Sequence, residues 1–243
     1  MMRIYPAIDL LNGEVVRLRR GNPSDVKVFN SQGSPIDIAR MWESQGAELL
    51  HVIDLDGAIG KGNNQSMAES IASELSIPVQ FGGGVRDGNT LTRLLGTGIE
   101  RVILGTLAIR APDIVLSIGE AYGFDRVVVA LDYRNNRIVC DGWQSQESTD
   151  PKDLLASFRD DGISHFLMTS VEKDGEMKGP DSELASSCGG TLSDIIIAGG
   201  ITSIEDVKTL AAMGFEAAVI GRALYEGAIK LTEAISVGRR FTS

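Results

Sequence analysis

Two copies of one segment, half a chain apart, constrain this fold more than anything else in the sequence. Residues 199–222 read G-G-I-T-S-I-E-D-V-K-T-L-A-A-M-G-F-E-A-A-V-I-G-R, and residues 83–106 read G-G-V-R-D-G-N-T-L-T-R-L-L-G-T-G-I-E-R-V-I-L-G-T. At a fixed offset of 116 residues, Gly83, Gly84, Leu94, Gly98, Glu100 and Gly105 recur as Gly199, Gly200, Leu210, Gly214, Glu216 and Gly221. Each copy runs strand end, Gly-Gly, helix, glycine, strand, glycine. A missing Cβ at such corners permits φ > 0 and lets backbone N–H groups approach an anion. An offset near half of 243 residues implies two similar halves, expected at roughly 1–122 and 123–243 of a single domain.

The rest of the chain keeps the same alternation. Apolar, β-branched runs predict strands at 4–9, 49–55, 79–82, 101–105, 126–132, 166–169, 194–198 and 217–221. Amphipathic segments predict helices near 35–45, 65–75, 89–96, 112–122, 151–160, 181–187, 204–213 and 227–237. Ser34-Pro35, Ala111-Pro112-Asp113, Asp150-Pro151 and Gly179-Pro180-Asp181 mark helix starts, and Gly46, Gly98, Gly123, Gly162 and Gly214 fall just past helix ends. Strands alternating with helices imply a parallel sheet. Eight such units in this length fit an α/β (β/α)₈ TIM barrel with an internal two-fold repeat better than an open sheet. Two connections are longer than needed: Asn12-Gly13 opens a hairpin followed by the polar stretch 19–33, and Asn135-Asn136 turns between two short strands within 132–143. Both are expected to overhang the C-terminal face, where barrels place their active sites.

Composition narrows the partners. The formal charge of −10, from 33 acidic and 23 basic residues, argues against nucleic acid and acidic membranes. No apolar run approaches a membrane span and the N-terminus lacks a signal pattern, so a cytoplasmic protein is expected. Two cysteines, Cys140 and Cys188, read as reduced apolar filler; with only His51 and His165 besides, no zinc-type spacing arises and no metal is expected.

Chemistry then falls to glycines and carboxylates. Gly199-Gly200 and Gly221-Arg222 follow strands 7 and 8, where barrels commonly seat a phosphate; Gly83-Gly84 and Gly105-Thr106 repeat them across the mouth. Two such cradles imply a substrate with a phosphate at each end, tight turns alone being the plainer reading of either pair. Asp9 and Asp132 close strands 1 and 5, half a barrel apart, and Asp174 follows strand 6. Opposed carboxylates without a metal site or a nucleophile–histidine pair suit proton shuttling by one acid and one base. Asp54 and Asp56 end strand 2, where contacts to a sugar and loop capping both remain open.

The motifs P-A-I-D-L, H-V-I-D-L-D-G-A, F-G-G-G-V-R, A-L-D, G-W-Q, K-D-G, A-G-G-I and V-I-G-R-A-L-x-E-G, in that order from Pro6 to Gly227, resemble the histidine-biosynthesis phosphoribosylformimino-AICAR-ribotide isomerase family. The resemblance implies a half-barrel-duplicated (β/α)₈ fold, no metal or organic cofactor, and an Amadori rearrangement of an aminoaldose bisphosphate to an aminoketose. It implies Asp9 as the general base at C2, Asp174 as the general acid for ring opening, and Asp132 and Thr169 as supports. Trp143 would close over the imidazole, with simple loop packing as its alternative. Gly84, Gly105 and Thr106 would hold one phosphate, Gly179, Gly200, Gly221 and Arg222 the other, with Arg17 and Arg86 as basic residues near the mouth. The strand 6 loop departs from the family pattern T-D-x-x-x-D-G-T at Ser170 and Glu176.

Three rivals stay open. A bifunctional relative also isomerises phosphoribosylanthranilate by the same chemistry. The cyclase sister shares the repeat, but usually opens with Cys-Leu-Asp where this chain has Ile8-Asp9 preceded by Pro6-Ala7. A non-catalytic phosphosugar-binding barrel would need neither Asp9 nor Asp174. A monomer acting on a small-molecule bisphosphate is expected.

Overall fold

The computed structural model describes residues 1–19, 22–29, 33–174, 176 and 179–241. Twelve strands run through them: β1 (Arg3–Leu11), β2 (Glu14–Arg19), β3 (Asn22–Val28), β4 (Leu50–Asp54), β5 (Val79–Gly82), β6 (Arg101–Leu104), β7 (Val127–Arg134), β8 (Arg137–Cys140), β9 (Ser145–Gln146), β10 (Phe166–Ser170), β11 (Ile195–Ala198) and β12 (Ala217–Ile220). Eight of them pair in parallel in the order β1-β4-β5-β6-β7-β10-β11-β12, and β12 returns to β1. The ring is closed, so these strands present no unpaired edge. This is the (β/α)₈ barrel that the alternation predicts.

The strands are apolar on both faces because both are covered. Inward side chains, among them Tyr5, Ala7, Ile103, Val128, Leu167, Ile196 and Val219, fill the barrel interior. Outward ones, such as Ile8, Val52, Phe81, Val129 and Phe166, pack beneath the helices. All eight predicted helices form. Ser34 and Ser203 each start one with a capping box, to Asp37 and Asp206 respectively. Asp87, the repeat partner of Ser203, caps the helix Gly88–Gly96 by accepting from Thr90 N and from Thr90 Oγ1, each at 2.9 Å.

Two expectations shift. The last helix is Leu231–Arg240 rather than 227–237, because Gly227 takes φ +72° in the turn leaving the short helix Arg222–Tyr225. The stretch 19–33 is not wholly loop: β3 pairs antiparallel with β2, Arg17 opposite Lys27. Residues 20, 21 and 30–32 of that stretch lie outside the described residues. The turn at Asn135-Asn136 joins β7 to β8 as expected. Short helices Leu55–Ile59, Thr106–Arg110 and Arg222–Tyr225 follow three of the barrel strands, and four or five residues are too few for periodicity to reveal.

The repeat is visible in backbone angles. Gly105 (φ −98°, ψ −90°) and Gly221 (φ −106°, ψ −97°) both precede short helices, and Gly83-Gly84 and Gly199-Gly200 all take positive φ. At the opposite, N-terminal end of the barrel, buried Glu216 gathers Arg3, Arg101 and His165 beneath Tyr5.

Candidate active site

At the C-terminal ends of the parallel strands lies a cavity of about 250 Å³. Asp9, Asp132, Thr169, Asp174, Gly84, Gly105, Thr106, Gly200, Gly221, Arg222, Arg17, Arg86 and Trp143 all line it. Gly179 does not. It stands behind Gly200, bonded from its N–H to Gly200 O at 2.9 Å.

Asp9 owes its setting to the turn at Asn12-Gly13, which folds β2 back on β1 and puts Asp9 opposite Val16. The next residue, Arg17, pairs its Nη1 with the Asp9 carboxylate and its Nη2 with Ala7 O. The guanidinium lies 4.8 Å over the Tyr225 ring, whose hydroxyl also donates to Ala7 O at 3.0 Å. Burial opposes the charge on Arg17, but Asp9, Tyr225 and Asp174 together hold its pKa above the ordinary value. Only 7% of Arg17 is exposed, so it is a partner of Asp9 in the cavity wall rather than a basic residue at the rim. Arg86 is at the rim, held by Gly57 O at 3.2 Å.

Across the cavity, Trp143 Nε1 donates to Asp132 Oδ2 at 2.8 Å, and Thr169, opposite Asp132 in register, hydrogen-bonds the same carboxylate. Burial pushes the Asp132 carboxyl pKa up, and these two hydrogen bonds oppose it without cancelling it. Trp143 reaches in because Asp141, Gly142 and Trp143 all take left-handed φ, from +55° to +67°. Such backbone costs on the order of 1 kcal/mol per non-glycine residue and persists only where contacts hold it. Here Asp141 N bonds Thr106 Oγ1 at 2.9 Å and Arg110 holds the Asp141 carboxylate at 2.6 Å. Asp174 is set by a turn in which its N–H meets Ser170 O at 3.0 Å, packed against Gly199. Ser170 itself is buried and bonded to the Tyr133 hydroxyl, away from the cavity lining. The N–H of Glu176 closes the same turn on Lys173 O at 3.1 Å.

The two glycine corners enclose the ends of the cavity. Among the described residues, none accepts a hydrogen bond from the backbone N–H of Gly84, Thr106 or Gly200. Free N–H groups at a concave corner are suited to receive an anion's oxygens. The same corners are tightly packed from behind. A Cβ at Gly84 would lie 2.6 Å from Gly57 Cα, and one at Gly200 would lie 2.3 Å from Gly179 O, whereas one at Gly105 meets only Ala130 Cβ at 3.7 Å. Gly84→Ala and Gly200→Ala should therefore each lose about 2–4 kcal/mol in urea unfolding, from positive φ plus displaced backbone. Gly105→Ala should lose little. Equal losses at all three positions would show that the corners are not close-packed.

Asp54 and Asp56 resolve as caps. Asp54 accepts from Gly57 N at 2.9 Å and from Asn64 N at 2.7 Å, and Asp56 accepts from Asn12 N and from Asn64 Nδ2. Neither lines the cavity. Both cysteines are free and buried, and burial raises the Cys140 thiol to about 11. Several lining residues escaped the sequence reading, His51 among them. His51, buried in β4 two residues before Ile53, faces inward, and its alternation with Ile53 in H-V-I-D was the available signal. Burial, with Arg17 nearby, lowers its pKa to about 4 despite Asp9, so its ring is uncharged at neutral pH.

The family described as histidine biosynthesis protein matches residues 3–230. A relative from Cenarchaeum symbiosum is 40% identical over 236 residues, 97% of this chain and 100% of the relative. One from Thermus thermophilus is 40% identical over 235 residues, 96% and 99% of the two chains, and one from Dinoroseobacter shibae is 40% identical over 240 residues, 97% and 99%. All three are named 1-(5-phosphoribosyl)-5-((5-phosphoribosylamino)methylideneamino) imidazole-4-carboxamide isomerase. With this match over nearly its whole length, the chain belongs to the histidine biosynthesis protein family.

Proposed function

We propose that this chain is the isomerase its relatives are named for, converting the imidazole-carboxamide aminoaldose bisphosphate to its aminoketose by an Amadori rearrangement. The observation that carries the reading is one cavity holding Asp9 and Asp174 between two glycine corners related by the repeat. In this reading Asp174 gives its proton to the ribose ring oxygen as the C1–O bond breaks and the amine lone pair forms C1=N. Asp9 then removes the C2 proton, and those electrons make C1=C2 and return to nitrogen. Asp9 delivers its proton to C1, and the C2 hydroxyl proton resets Asp174 as C2=O forms. Proton count is conserved, as an isomerisation requires, and the two carboxyls each act once in each sense. Asp132 and Thr169 hold Trp143 and the cavity wall. Trp143 covers the imidazole.

Gly84, Gly105 and Thr106 take one phosphate, and Gly200, Gly221 and Arg222, backed by Gly179, the other. Arg222 is steadied by Glu226 at 2.9 Å, which also meets Lys27 of β3 at 2.9 Å. The reading carries with it a single domain of two half-repeats, a monomer working in the cytoplasm on a small-molecule bisphosphate, and no need of metal or organic cofactor. Among the described residues no helix is long and apolar enough to cross a membrane.

The test is steady-state turnover on the imidazole-carboxamide bisphosphate and on phosphoribosylanthranilate, side by side. Turnover of the first is expected. Tight binding of that bisphosphate with no turnover would overturn the reading in favour of a phosphosugar-binding barrel.

A further inference from the structure

Gln80 has no place in the chemistry above, yet it is wholly buried in the strand next to His51. Its carboxamide nitrogen lies 2.7 Å from His51 Nδ1. On β5 it points inward, two residues before Gly82, a layer below the cavity floor; Gly82 lines the cavity and Gln80 does not. Gln80 is therefore too deep to touch a substrate. Its effect can only pass through the imidazole above it.

A 2.7 Å contact between an amide and a ring nitrogen has two solutions. In one, Gln80 Nε2 donates to Nδ1 and the ring carries its proton on Nε2. In the other, the amide oxygen accepts from Nδ1–H and Nε2 is a bare acceptor. The first leaves Gln80 Oε1 without a partner, as the structure has it. The second would strand a buried N–H₂ group instead, and orphaned buried donors are rarer than under-satisfied acceptors. At the other end of the ring, Nε2 has no hydrogen-bond partner among the described residues and is not among the sealed, unpaired polar atoms. It therefore opens onto the cavity that His51 lines. The charged groups acting on this ring are Asp9 on β1 and Arg17 on β2, already paired with each other.

We infer that Gln80 is a positioning residue that locks His51 as the Nε2–H tautomer, so that the ring offers a hydrogen bond to the oxygen on the carbon that Asp9 deprotonates. The role rests on the isomerase reading above; the tautomer does not. An uncharged donor at that oxygen favours the carbonyl forming there without protonating Asp9. No proton is transferred by His51 in this scheme. It stabilises charge, and Gln80 keeps it oriented.

The chain has only two histidines, so the tautomers can be read directly from long-range proton–nitrogen NMR spectra of ¹⁵N-labelled enzyme. A His51→Asn spectrum assigns the signals. Wild-type His51 should show a pyrrole-like Nε2 and a pyridine-like Nδ1 at neutral pH. His165, whose Nδ1 lies 2.8 Å from Glu216, should carry its proton on Nδ1. In Gln80→Glu the carboxylate accepts from Nδ1–H, so the proton lost as the pair titrates is the one on Nε2. That variant should gain a further alkaline limb in kcat, separate from any that the general acid sets in wild type, with a fall on the order of a hundredfold. The fall in kcat and the Nε2 shift should share one midpoint, with KM changing less than kcat. A wild-type His51 protonated on Nδ1 would overturn the lock. Loss of the Nε2 proton in Gln80→Glu with kcat unchanged would overturn its role. The wild-type spectrum needs no turnover, so a failure of the isomerase reading shows separately.

Discussion

Asp9→Asn should cut kcat by roughly a thousandfold while KM stays within about tenfold, as expected when a general base is lost from an otherwise intact site. The substitution keeps the side chain's volume and its place opposite Val16 in the β1–β2 pair. On the proposed mechanism it removes the acceptor for the C2 proton, and it removes the charge that Arg17 Nη1 pairs with, while the other Arg17 nitrogen still has Ala7 O. Asp174→Asn should fall by a similar factor. Steady-state kinetics on the bisphosphate would measure both, and the double variant should lose far less than the product of the two, because residues acting as a unit are not additive. An Asp9→Asn enzyme that binds substrate and turns over at the wild-type rate would remove Asp9 from the mechanism.

A large loss of stability is also expected at the opposite end of the barrel. Glu216 is 7% exposed and takes bonds from Arg101 at 3.2 Å, from His165 at 2.8 Å and from Arg3. Truncation to alanine leaves cations facing one another without their anion, which costs about 3 kcal/mol where the group is buried. Urea unfolding should report that loss with activity per folded molecule unchanged. The pH dependence has a definite sign. Burial alone would raise the Glu216 pKa, but the His165 hydrogen bond and the charges of Arg101 and Arg3 bring it below its ordinary 4.5. A depressed carboxylate contributes stability that is fully present above the unfolded value and is lost as pH falls through the folded one. The gap between wild type and Glu216→Gln should therefore be constant above about pH 5 and should narrow below 4.5. A gap that widened on acidification would mean that the cluster is not held by the Glu216 charge.

Strands and long helices were legible because both report on burial. A strand covered on two faces is an unbroken apolar run, and a helix covered on one face repeats its apolar residues. The corners were legible because glycine at positive φ is a constraint the chain meets twice in register. Asp9 and Asp132 could be placed from their strand ends. Other features lay beyond a reading by residue type. His51 and Gln80 each look like a polar interruption of an apolar strand, and only the pairing of β4 with β5 makes them partners. The bond between Arg17 and Asp9 depends on a hairpin register that motifs do not encode. Asp54 and Asp56 have the same letters as sugar ligands and were decided only by the position of Asn64. Even the repeat misleads once: Glu216 is a buried hub, whereas its counterpart Glu100 is exposed and contributes its backbone carbonyl to Arg126.

The tie between Asn64 and the first hairpin bears on what this enzyme leaves to chance. The N–H of Asn12 is pinned to Asp56 and that of Gly13 to Asn64 Oδ1 at 2.9 Å, while Asn64 Nδ2 grips Asp54 at 2.7 Å. The root of β2 is thereby moored to the neighbouring strand's loop, and Arg17 is delivered to Asp9 by a fixed arm. On the proposed mechanism, the pair that abstracts the proton is already assembled at the folding step, ahead of any substrate.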